Sequence, residues 1–201
     1  MTKKNDKLKA ARSRARKRRD IMYTRPEITP ANYVTHRAIL RKWDDEVLKT
    51  VSNPVDASHV TESEVVCCIK SMMVLVDRHD GIGLAANQAG YDKRIIVVDR
   101  ADRRVTSLPD FEVMINPVVV DHSPEKVAGI EGCLSYPGEQ RKITRYRWVE
   151  VEYLDEQGEK QKELFGERVG RIIQHELDHL EGVCQVGKLD LESLGVPKWH
   201  I

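Results

Sequence analysis

The sequence predicts an α+β domain in which mixed, mainly antiparallel β-strands wrap around a central helix, with a second helix packed outside and a disordered basic N-terminal arm in front. Three observations predict it. Residues 1–19 hold ten Lys or Arg against the single acid Asp6 and almost no large apolar residue, a composition that cannot offset the entropy of ordering. From about residue 61 to 165, one stretch of helical periodicity gives way to runs rich in Ile and Val or alternating apolar with polar residues, the pattern of strands. Near the C-terminal end, Gln174-His175-Glu176-Leu177-Asp178-His179-Leu180 sets two histidines four apart on a segment that carries Val169, Ile172, Ile173 and Leu177 inward. Side chains at i and i+4 share a helix face, so both imidazoles can reach one ion, which makes this central helix a metal-binding one.

In chain order, residues 1–36 form the basic extension and a proline-punctuated linker, Thr24-Arg25-Pro26-Glu27-Ile28-Thr29-Pro30. Residues 37–201 form one folded domain, long enough to bury a sizeable core. The net charge of +1 therefore hides a basic arm ahead of an acidic body, because residues 20–201 hold 23 bases against 31 acids. Thr61-x-x-Glu64 reads as a capping box that starts the first helix, followed by Val65, Cys68, Ile69, Met72, Met73 and Val76 at helical spacing. The Cys and Met residues of that stripe read as packing groups. The helix should stop near His79-Asp80, ahead of Gly81 and Gly83.

The loop Gly81-Ile82-Gly83-Leu84-Ala85-Ala86-Asn87-Gln88 is small enough for a backbone or ligand to approach closely. It lacks the third glycine of G-x-G-x-x-G and the Lys of a P-loop, and it follows a helix rather than a strand, so nucleotide binding is excluded. Residues 94–98 and 111–120 read as strands. Residues 148–153 and 162–165, with Gly158 in the turn between them, read as an antiparallel hairpin. The last helix begins near Gly166.

Composition narrows the class. No run approaches the ~20 apolar residues that span a bilayer, and the N-terminus has no apolar stretch of a secretory signal. The four cysteines should therefore be reduced, and they form neither a disulfide framework nor a paired C-x-x-C. The expected address is cytoplasmic, with an organelle as the alternative if the basic arm is a transit peptide.

Glu176 lies beside the first histidine, where a carboxylate can take a proton from water without being a ligand. A third ligand is needed, and Glu131-Gly132-Cys133-Leu134-Ser135-Tyr136-Pro137 offers one. A Cys133 thiolate would complete a Cys-His-His set with one position open, the form of a catalytic site. Read alone, Cys133 is a small buried hydrophobe. Asp178 and Arg145 read as ordinary surface or structural charges; the alternative has Asp178 orienting a ligand and Arg145 pairing with Glu131.

The blocks 81–88, 131–135 and 174–180, in this order and at this separation, closely resemble the peptide deformylases over roughly residues 37–185. The resemblance implies a metal-dependent hydrolase that removes the formyl group from the N-terminal formylmethionine of newly synthesised polypeptides. It places the metal ligands on Cys133, His175 and His179, and the catalytic glutamate on Glu176. The oxyanion donors fall on Gln88 and the backbone N–H of Leu134, and substrate contacts on Ile82, Gly83 and Gly132. It implies one divalent ion, Fe²⁺ in the cell, with Zn²⁺, Ni²⁺ or Co²⁺ able to occupy the site. The partners it implies are N-formylmethionyl nascent peptides; no membrane partner is expected, and the chain is expected to act as a monomer. Two departures stand out: about 36 extra residues in front, and only 22 after His179, interrupted by Gly195-Val196-Pro197, so no long C-terminal helix is expected.

Two other classes compete. A zinc endopeptidase would share H-E-x-x-H but take its third ligand downstream, from Cys184, His200 or the acids between Glu181 and Glu192; the upstream Cys133 block argues against it. An RNA-binding protein led by the arm has no aromatic before Tyr23 and no RNA-binding fold beside it. The arm is instead expected to give weak, salt-sensitive ribosome or RNA contact, with a solvated tail of no specific role as the alternative.

Overall fold

The computed structural model describes residues 38–101, 109–184 and 186. The basic arm, the linker and the Gly195-Val196-Pro197 segment lie outside the described residues. Helix α1 spans Ser63–Arg78 and α2 spans Glu167–Leu180. The strands are β1 Gly83–Ala85, β2 Ile95–Asp99, β3 Phe111–His122, β4 Lys126–Cys133, β5 Tyr136–Tyr146, β6 Trp148–Leu154 and β7 Lys160–Gly166. They make a five-stranded sheet in the order β1-β2-β3-β6-β7 and a separate β4-β5 ribbon, and all the pairings are antiparallel.

Why β2 lies inside follows from its composition. Ile95, Ile96, Val97, Val98 and Asp99 are all buried, and an unbroken apolar strand is stable only where both sheet faces are covered. Alternate residues face opposite ways. Ile95, Val97, Val113 and Ile115 pack with Val65, Cys68, Met72 and Val76 of α1. Ile96, Val98, Met114, Val149 and Val151 pack with Ile172, Ile173, Leu177 and Leu180 of α2. Thus α1 closes one of two cores, and each helix covers one sheet face. Helix α2 meets β1, β2, β5, β6 and β7, which makes it the element shared by both sheets.

Three expectations change. Helix α1 begins two residues after Thr61, and its N-cap Glu62 makes no side-chain cap bond, so the Thr61-x-x-Glu64 pattern is not a capping box. The segment 81–88 is not a loop throughout: β1 pairs with β2 in the register Gly83 to Val98, and Ala86–Ala89 form a 3₁₀ turn. The β4-β5 ribbon, which carries Cys133 at its inner end, was not among the expected strands. The 148–154 and 160–166 hairpin, the stop of α1 after Arg78 and the start of the last helix after Gly166 agree with expectation.

Candidate metal centre

Three elements converge. The β4-β5 turn presents Cys133, β1 and the following 3₁₀ turn present Gly83 and Gln88, and α2 presents His175, Glu176 and His179. Helix α2 can sit this close to the sheet because Gly170 has no Cβ: one added there would lie 2.6 Å from the Phe165 carbonyl oxygen. The same holds at Gly83, where a Cβ would lie 2.6 Å from both Glu176 Oε1 and Ile172 Cγ2.

Donor atoms of Cys133, His175 and His179 lie within 4.8 Å of one another. Cys133 Sγ is 3.2 Å from His179 Nε2, close to the ~3.5 Å edge of a tetrahedron with ~2.0 Å nitrogen and ~2.3 Å sulfur bonds. His175 Nδ1 is 3.1 Å from Glu131 Oε2, so its Nε2 is the ring nitrogen left for an ion. Among the described residues no fourth His, Cys, Asp or Glu joins this set. A soft sulfur, two imidazoles and an open position fit a divalent transition metal with a catalytic coordination shell.

Glu176 is buried, and its Oε2 has no protein partner. Burial pushes its carboxyl up to about 8, while the nearby His179 pulls the other way. Gln88 is equally buried. Its Oε1 accepts from the Ala85 N–H at 2.9 Å, which fixes the amide so that Nε2 faces Ser135 Oγ at 3.1 Å and Cys133 Sγ at 3.6 Å. Ile82, Gly83, Gln88, Gly132, Cys133, Leu134, His175 and Glu176 line one open groove. His179 is fully buried behind it. All the residues anticipated from sequence are therefore brought to one place.

Behind the ligands lies a charge network, and of the two readings of Arg145 it matches the alternative, in which Arg145 pairs with Glu131. Arg145 is 1% exposed. Its Nε and Nη2 donate to Glu131 at 3.0 and 2.9 Å, and its Nη1 donates to Asp178. Arg171 Nη1 adds a bond to Glu131 Oε1 at 2.7 Å. Burial alone would raise Glu131, but the bonds from His175 and Arg145 outweigh it and hold the carboxylate well below its usual range. Ser135, Asn87 and Arg171 also surround the site without having been given a role in it, as does Cys184, weighed only as a downstream ligand for an endopeptidase. Asn87 Nδ2 donates to the His179 carbonyl, and Cys184 Sγ lies 3.9 Å from Cys133 Sγ. These two sulfurs ionise as a pair: their contact and the nearby His179 favour one thiolate, while the contact and burial oppose a second. A cation on Cys133 would draw that thiolate onto its own ligand sulfur.

Comparison with known proteins places this site in context. The polypeptide deformylase family model matches residues 38–193. A peptide deformylase of Synechocystis sp. is 44% identical over 121 residues, covering 60% of this chain and 64% of that protein, just under two thirds. One from Thermoanaerobacter pseudethanolicus is 37% identical over 150 residues, covering 74% of this chain and 87% of that one. The Acinetobacter baumannii class I type b peptide deformylase, solved with Met-Ala-Ser bound, superposes with a TM-score of 0.67 at 34% identity, covering 73% of this chain and 94% of that chain.

Proposed function

We infer the function from one premise: this chain belongs to the polypeptide deformylase family. It is a hydrolase that removes the formyl group from the N-terminal formylmethionine of newly synthesised polypeptides, cleaving a linear amide and releasing formate. The observation that carries the mechanism is the Cys133, His175 and His179 trio beside buried Glu176, open to one groove.

Cys133, His175 and His179 would hold one divalent ion; Fe²⁺ is our assignment, and Zn²⁺, Ni²⁺ or Co²⁺ suit the same donors. Such an ion supplies Lewis acidity, which polarises a carbonyl and makes a water acidic near neutral pH. Glu176 takes the proton from the attacking water and returns it to the leaving amine nitrogen. Burial raises the Glu176 carboxyl and the cation held beside it would lower it, which would leave a group able both to take the proton and to give it back. Gln88 Nε2 and the Leu134 N–H donate to the formyl oxygen as it gathers charge, and the Ala85 bond keeps Gln88 from turning its oxygen inward. Gly83, Ile82 and Gly132 contact the peptide. Only a glycine at 83 leaves room above Glu176, which suits an aldehyde-sized carbonyl better than a bulkier acyl group.

The Met-Ala-Ser bound to the Acinetobacter baumannii protein is the type of product this groove would release. The basic arm supplies weak contact with ribosomal RNA, the catalytic unit is residues 37–201 acting as a monomer, and the address is cytoplasmic. Among the described residues no helix is long and apolar enough to cross a membrane. Glu176→Gln tests the mechanism: the variant should keep its metal and lose a factor of ~10²–10⁴ in kcat, the range of general acid-base work. Loss of metal together with activity would make Glu176 structural instead.

A further inference from the structure

Cys184 is a buried nucleophilic group that the mechanism above does not use. It lies with Cys133, Tyr136 and Val186 in a small cluster apart from the two main cores. Its sulfur is 3.9 Å from the Cys133 sulfur, yet it is not part of the set of donors that converge with His175. It therefore backs the ligand sulfur rather than completing the coordination shell. Cys133 lines the groove and Cys184 does not, so a small oxidant arriving from solvent meets Cys133 first. The other two cysteines, Cys67 and Cys68, belong to α1.

We propose that Cys133 and Cys184 form an oxidative modification site, in which a hydroperoxide converts the pair to a disulfide and so takes the sulfur ligand off the metal centre. The proposal rests on the metal-ligand reading of Cys133 given above. In the first step the Cys133 thiolate attacks a peroxide oxygen: an S–O bond forms, the O–O bond breaks, a sulfenic acid results, and the hydroxide (or alkoxide) released takes a proton from solvent to leave as water (or an alcohol). In the second, the Cys184 sulfur attacks the Cys133 sulfur: the S–S bond forms, the S–O bond breaks, and the oxygen leaves as water, taking the Cys184 proton. One thiolate and one thiol are oxidised to the disulfide and one peroxide is reduced. Closing 3.9 Å to the ~2.0 Å of a disulfide asks for movement of a segment that lies beyond the end of α2, outside any helix or strand. Without a second sulfur in contact, further oxidation of Cys133 would run to irreversible acids; with one, the ligand is recoverable by a thiol.

The test uses the full chain loaded with zinc, which peroxide does not oxidise, beside Cys184→Ser and Cys184→Ala. Each is treated with hydrogen peroxide, and zinc release is followed with a colorimetric chelator. Intact mass and non-reducing peptide maps follow. The wild type should release its zinc, lose the mass of two hydrogen atoms and yield a Cys133–Cys184 cross-linked peptide; a dithiol with fresh zinc should restore it. With excess peroxide both variants should instead gain two or three oxygen atoms on Cys133, as sulfinic or sulfonic acid, and stay unrestored by the dithiol. Oxygen addition on wild-type Cys133 without the cross-link, a cross-link to Cys67 or Cys68, or variants that recover as the wild type does would each overturn the proposal. Should neither variant fold, the wild-type peptide map decides alone. Formate release before peroxide tests the function by itself, so the two failures are distinguishable.

Discussion

Glu131→Gln puts the network behind the metal centre to its most demanding test. One Glu131 oxygen accepts from Arg145 Nε at 3.0 Å and Arg171 Nη1 at 2.7 Å; the other accepts from Arg145 Nη2 at 2.9 Å and lies 3.1 Å from His175 Nδ1. An amide can present its oxygen to only one of these pairs. Whichever way it turns, its NH₂ group faces two donors, and the two Arg145 bonds can no longer both go to a carboxylate. Hydrogen bonds to a charged group are worth about 1.5–3 kcal/mol each, so two lost bonds cost ~3–6 kcal/mol, much of the 5–15 kcal/mol stability of a typical domain. His175 also loses the partner that sets its tautomer, and such losses weaken metal affinity ~10–100-fold. Urea unfolding of metal-free protein measures the first effect, and chelator competition the second. The pH dependence follows from the sign of the shift. Glu131 is held below its ordinary value of 4.5, so its contribution is fully present above that value and is lost as pH falls through the lower, folded-state pKa. The gap between wild type and Glu131→Gln should therefore be flat around neutral pH and narrow only in acid. A variant within ~0.5 kcal/mol of wild type, with unchanged metal affinity, would refute the assignment of Glu131 as the support of His175.

Other expectations can be checked on the same material. Cys133→Ser replaces a soft thiolate by a neutral hydroxyl and should lower metal affinity and alter its preference among ions; titrations matching the wild type would remove Cys133 from the ligand set. Gly83→Ala forces a methyl group against Glu176 Oε1 and Ile172 Cγ2, so turnover should fall sharply while metal content holds; a fully active variant would show that Glu176 can move aside at no cost. Deleting residues 1–20 should leave turnover of a short formyl peptide unchanged and weaken co-sedimentation with ribosomes at low salt; equal sedimentation across a salt series would dismiss the tether.

What the sequence made legible was local. His175 and His179 sit one turn apart, so their convergence is written into four residues of spacing, and β2 and the β6-β7 hairpin carry their periodicity on their face. The β4-β5 ribbon was missed because most of its first strand is exposed and shows no apolar alternation; only pairing with β5 makes it a strand. The start of α1 was misplaced because Thr61-x-x-Glu64 has the residue types of a cap without the geometry. Arg145 joins Glu131, 14 residues away, to Asp178, 33 residues away. No spacing rule connects residues so far apart in different elements, and charged side chains are ordinarily exposed. Cys184 has no local pattern at all; its place beside Cys133 is a product of how the chain turns after α2.

Formate release from formyl-Met-Ala-Ser, by protein purified anaerobically and with metal measured in the same sample, tests the central claim most directly. Stoichiometric divalent metal and steady formate production should appear together, vanish together on chelation, and be absent with N-acetyl-Met-Ala-Ser or an internal peptide bond as substrate. Metal-loaded protein that releases no formate, or that cleaves the internal bond instead, would contradict the account.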